Sequence, residues 1–144
     1  ITNATHLQFP KVREGLSLLT SFRGEIWGKL DAGTDVWFRQ INGSSMSLEV
    51  IQNNLEMTVK DFPMQIQTML CKIGENFPSQ VEIDAYLKRL EKIYYAGKEN
   101  FKGVQLYGVV RQTALDTVSA LPKDFLENVA EQIRNSLPVC VNVF

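Results

Sequence analysis

The chain has 144 residues, 44% of them hydrophobic and 22% charged, with fifteen basic against sixteen acidic side chains and a net charge of −1. That length supports one domain burying roughly two-thirds of its unfolded surface, and the composition excludes disorder. The scattered lysines and arginines build no basic stripe for nucleic acid, and no apolar run approaches the roughly 20 residues of a membrane span.

Taken in chain order, the pattern reads as helical from end to end. Pro10 suits the first position of a helix running to Gly33, with Val12, Leu16, Leu19, Phe22, Ile26 and Leu30 on one face. Thr34 or Asp35 caps a short second helix ended by Asn42-Gly43. Ser44, Ser45 and Ser47 offer caps for a third, whose stripe Leu48, Ile51, Leu55, Val59, Phe62 stops at Pro63. A fourth is expected from Met64 to about Lys72, ending at Gly74. Ser79-Gln80-Val81-Glu82 is a capping box opening a fifth, with Ile83, Tyr86, Leu87, Leu90, Ile93 and Tyr94 on one face and Gly97 at its end. A sixth carries Val104, Tyr107, Ala114, Leu115, Val118 and Leu121. Pro122 starts a seventh through Phe125, Val129, Ile133 and Leu137, stopped by Pro138. Only the tail, Val139 to Phe144, alternates like a strand. The expected fold is therefore all-α: residues 1–144 as a single compact bundle of six to seven helices.

The two cysteines, Cys71 and Cys140, are expected to pair and strap the tail to the core. Closing a loop of about 70 residues contributes about 4 kcal/mol in chain-entropy terms. An even cysteine count, a chain beginning at Ile1 as a signal-processed product would, and two glycosylation sequons (Asn3-Ala4-Thr5 and Asn42-Gly43-Ser44) read as a secreted glycoprotein.

Catalytic chemistry is sparse. His6 is the single histidine, and no zinc, phosphate-loop or nucleophile-elbow motif occurs. Asp31-Ala32-Gly33-Thr34-Asp35 lacks the ligand spacing of a calcium loop and reads as a solvated helix junction. No enzyme, cofactor or metal is expected. Met46, Met57, Met64 and Met69 cluster in one window, and Arg23 and Arg111 fall within apolar stripes, where an unpaired charge costs several kcal/mol. Together with Tyr107 these point to an interior site in which Arg23, Arg111, Met57, Met69 and Tyr107 hold a fatty acid or similar small amphipathic ligand. The rival reading is a solid, cytokine-like bundle meeting a protein partner, or a second copy of itself, through an aromatic patch at Trp37-Phe38.

Overall fold

The computed structural model describes residues 1–43, 46–111 and 116–144. It is an α/β fold, which overturns the all-α expectation. The element order is α1 (Pro10–Ser21), β1 (Ile26–Lys29), α2 (Asp35–Asn42), α3 (Leu48–Asp61), β2 (Met64–Met69), β3 (Lys72–Ile73), α4 (Gln80–Ala96), β4 (Phe101–Tyr107), β5 (Val118–Ser119), α5 (Lys123–Ser136) and β6 (Val141–Val143).

Three of the expected helices divide or change type, each for a local reason. The first stops at Ser21 because Arg23 takes a left-handed conformation (φ 60°), letting the Arg23 and Gly24 N–H groups donate to the Thr20 and Leu19 carbonyls. That is a Schellman closure with arginine where glycine is usual. The chain then leaves as β1. The fourth expected helix, Met64-Gln65-Ile66-Gln67-Thr68-Met69, is β2. Its burial alternates strictly, with Met64, Ile66 and Thr68 buried and the other three half-buried. The sixth becomes β4, then a connection to the two-residue β5; the part of that helix carrying Ala114 and Leu115 lies outside the described residues.

The helices expected at Thr34, Ser47, Ser79 and Pro122 are present. Thr34, Ser47 and Ser79 each accept an N–H from the first turn that follows, and Gly43 ends α2 in the left-handed region. The stripe Leu48, Ile51, Leu55, Val59 of α3 is fully buried.

Strands β1-β2-β4-β6 form one sheet in that order, and every pairing is parallel. Parallel neighbours need crossover connections, which α3, α4 and α5 supply in turn. Each crossover steps to the next strand in the same direction, so right-handed connections place these helices on one face. The core lies between that face and the helices. Ile26, Met64, Ile66, Val104, Leu106 and Val141 meet Leu55, Tyr86, Leu90, Val129 and Ile133 in a single cluster. The side chains of Trp27, Lys29, Gln65, Gln67, Met69, Gln105, Tyr107 and Asn142 alternate onto the opposite face. Small antiparallel β3–β5 lies beyond the carboxyl end of β2.

No disulfide forms, contrary to expectation: Cys71 is buried and free, Cys140 exposed and free. The parallel topology explains this. Cys140 precedes β6, in the row of Gly103 and Gln65, whereas Cys71 follows the far end of β2, six residues beyond Gln65. At roughly 3.3 Å per residue the two are about 20 Å apart along the strands, and a bridge needs Cα atoms within about 7 Å. The tail is instead tied by backbone pairing to β4. Val141 is buried and Phe144 stays 72% exposed. In native protein a thiol reagent is expected to titrate Cys140 promptly and Cys71 only on unfolding, since burial and the neighbouring Asp31 charge push the Cys71 thiol up.

Candidate functional site

Parallel α/β sheets bind ligands beyond the carboxyl ends of their strands, where loops gather and backbone groups lie free. In this chain the ends of β1, β2 and β4 bring charged and polar side chains together at that edge. Lys29 is the last residue of β1, and its side chain lies on the face away from the helices. Its Nζ donates to Tyr107 Oη at the end of β4 (3.0 Å) and lies 3.3 Å from Asp31 Oδ2. Asp31 is held from below by the Met69 N–H at the end of β2, donating to Oδ1 at 2.9 Å. One residue from each of three adjacent strand ends thus fixes the cluster.

The pair is unequal. The Asp31 side chain is 4% exposed and the Lys29 side chain 22%. Burial pushes the Asp31 carboxyl up, and Lys29 with the Met69 N–H only partly offsets it. Burial works the other way on Lys29, but Asp31 and Tyr107 outweigh it and hold the ammonium protonated. An ammonium has three donors. Asp31 and Tyr107 take two, and among the described residues no partner takes the third.

Lys29 and Asp31 also line a cavity of about 60 Å³, bordered by Asn3, Thr5, Asn42, Leu30, Phe38, Leu48 and Ile51. It is far smaller than the roughly 300–1,000 Å³ of a pocket that encloses a whole small molecule. That suits the head of a ligand, not a whole one.

The loop carrying Asp31 is clamped from α4. Glu82, buried within the first turn, accepts the N–H groups of Gly33 and Thr34 (2.9 Å for Thr34). Arg89, two turns on, donates from Nε to the Gly33 carbonyl at 2.6 Å. Ser79 Oγ accepts the Glu82 N–H, so one half of the capping box forms; the Glu82 carboxylate turns to the loop instead of back to Ser79. Burial raises the Glu82 carboxyl, opposed by Thr34, Gly33 and Arg89.

The residues first named as ligand-binding are not brought together. Tyr107 joins the cluster, and Met69 contributes its backbone N–H. Arg23 is exposed at the opposite end of the sheet, lining an open groove of about 390 Å³ with Glu25, Gln65 and Lys102. Arg111 is exposed and Met57 is half-buried on α3. The aromatic patch is also displaced, with Phe38 in the core and Trp37 packed against it; exposed apolar side chains include Leu18 and Leu19 of α1 and Phe22 just after it. Asn3 and Asn42, the sequon asparagines, both border the cavity; Ser44 of the second sequon lies outside the described residues. Sequence reasoning passed over Lys29 and Arg89, and gave Asp31 and Glu82 only the roles of a junction carboxylate and a capping acid. A signal for them existed in Lys29-Leu30-Asp31-Ala32-Gly33-Thr34, charged residues at the junction of an apolar run and a capped helix.

Asp31 yields a pH prediction. Its folded-state pKa is raised, so as pH falls the native chain takes up this proton before the unfolded chain does. The charged carboxylate therefore costs stability above that range, and the cost fades on acidification through the folded-state pKa. Asp31→Asn keeps an oxygen for the Met69 N–H and removes the charge. It also leaves the partly buried Lys29 ammonium without its counter-charge, so a loss of about 1–3 kcal/mol at neutral pH is expected, with a flatter pH profile in the acid range, read by urea unfolding at stepped pH.

No protein family, curated protein or solved structure matches this chain. Among the described residues no helix is long and apolar enough to cross a membrane, and no group of three acidic, histidine or cysteine side chains is placed to hold a metal.

Proposed function

We propose that this chain binds a small metabolite bearing an oxyanion, a carboxylate or phosphate, at the carboxyl end of its parallel sheet. The observation that carries the reading is the Lys29 ammonium. It is held protonated by buried Asp31 and by Tyr107, and its third donor has no partner among the described residues. A hydrogen bond from a charged donor to an oxyanion is about twice as strong as a neutral one, and partial burial reduces competition from water. The cavity receives the head group, with Asn3, Thr5 and Asn42 as neutral hydrogen-bonding neighbours.

With an α/β sheet in place of a helical bundle, the small ligand docks at the strand ends and not between helices. Export now rests on the sequons, since both thiols are free. Glycans at Asn3 or Asn42 would stand at the rim of the same cavity, so unglycosylated protein is the form to test.

Thermal-shift titration with acetate, succinate, inorganic phosphate and glycerol 3-phosphate tests the reading. At least one is expected to raise the midpoint saturably in the parent chain and to lose that effect in Lys29→Met, while Lys102→Met, in the distant groove, retains it. Equal responses in parent and Lys29→Met would sink the assignment.

A further inference from the structure

The geometry points to Glu82 and Arg89 of α4 as positioning residues for the oxyanion site, holding the Asp31–Thr34 loop so that Asp31 stays over the Met69 N–H and beside Lys29. This rests on the reading of Lys29 as the docking group, but the clamp is visible without it.

Beyond β1 the backbone keeps one bond to β2, the Leu30 N–H donating to the Gln67 carbonyl at 3.1 Å, and Asp31 follows it. From Ala32 onward the backbone is held by α4. The Glu82 carboxylate accepts two successive N–H groups, from Gly33 and Thr34, and Arg89 takes the carbonyl of the residue between Ala32 and Thr34. Both directions of the Gly33 peptide are therefore fixed by side chains of opposite charge from one helix face, Glu82 and Arg89 lying seven residues apart. Arg89 is itself braced by Glu49 of α3 at 3.5 Å. Gly33 lies so close to α4 that an added Cβ would collide with the Tyr86 N and Glu82 O atoms. Thr34 continues the same brace by capping α2, whose last residue, Asn42, borders the cavity. A helix end is ordinarily satisfied within its own first turn. Here the acid of the capping box serves another loop, two residues from Asp31.

A clamp that served only stability would leave Lys29 and Asp31 unchanged when weakened. Glu82→Gln removes the charge and one acceptor; Arg89→Lys keeps the charge and loses the planar Nε donor. In both, Lys29 is expected to acetylate several-fold faster with an N-hydroxysuccinimide ester, and the Asp31 carboxyl, followed by carbon-13 NMR, to titrate closer to an ordinary aspartate. The thermal shift produced by the binding oxyanion should shrink in parallel. A lowered melting temperature with unchanged Lys29 reactivity and Asp31 titration would overturn the proposal. Should neither variant fold, amide exchange on the parent chain decides: the Gly33 and Thr34 N–H groups are expected to be protected well above free-loop rates, toward the level of the middle turns of α4, and exchange at free-loop rates would overturn it. If no oxyanion binds the parent, the docking reading fails, while acetylation and titration still test the clamp.

Discussion

Gly33→Ala is expected to destabilise the chain by about 3 kcal/mol, the upper range for forcing an atom into filled space. A Cβ at this position meets backbone atoms of α4, namely Tyr86 N, Glu82 O and Ala85 C. Backbone cannot rotate aside as a side-chain tip can. Either the loop lifts off α4, breaking the Glu82 and Arg89 bonds, or the first turn of α4 shifts and disturbs Tyr86, whose hydroxyl meets Thr68 Oγ at 2.7 Å in the core. Urea unfolding followed by circular dichroism measures the loss. An unchanged midpoint would mean that the loop does not lie against the helix as described. Gly43→Ala makes a useful contrast. It has nothing within 4 Å of an added Cβ, and its left-handed backbone alone should cost about 1 kcal/mol.

The second large effect is expected from Leu55→Ala, at about 3 kcal/mol within the usual range of 2–5 for a buried leucine. Leu55 is fully buried on α3, and its Cδ2 lies over Gly28 of β1, where an added Cβ would touch it. The leucine thus occupies the hollow left by a glycine on an edge strand. Truncation would leave that hollow empty, and the sheet cannot collapse toward α3 without breaking the β1–β2 register. Gly28→Ala with Leu55→Ala should recover part of the loss, because the new methyl fills part of the space. The double variant being no more stable than Leu55→Ala alone would show that the two do not face each other.

Helix positions and caps were legible because their signals are local. Thr34, Ser47 and Ser79 act at short range, and the stripe of α3 needs only its own periodicity. The strands were not, for physical reasons. β2 is built from Met, Gln, Ile and Thr, of which Met and Gln favour helices, and its period of two over six residues is easily absorbed into a helical stripe. β1 has four residues and follows α1 after only a short turn made by Arg23, a position where glycine was the expected signal. β4 interrupts its own alternation, since a register shift near Gly103 sets Lys102 outside the pairing. The tail alone alternated visibly, and it is a strand, held by β4 instead of sulfur.

The candidate site was hidden for a related reason. In the sequence Asp31 and Asp35 read as two carboxylates of a solvated helix junction and Gly33 as a helix end, and the role of Asp31 and Gly33 emerges only when β1, β2 and β4 are known to be parallel neighbours ending at one edge. Lys29 meets Tyr107 across 78 positions of sequence, and Glu82 reaches Gly33 across 49. Contacts of that range follow from topology, which no local pattern carries. Arg23 and Arg111 were singled out because they fell in stripes of helices that do not continue through them.

Competitive acetylation of lysines, read residue by residue by mass spectrometry with and without a saturating oxyanion, tests the central claim most directly. The binding oxyanion should slow modification of Lys29 at least several-fold and leave Lys102 and the surface lysines of α4 unchanged. Protection centred on Lys102, or spread evenly over all lysines, would contradict a docking point at the strand ends.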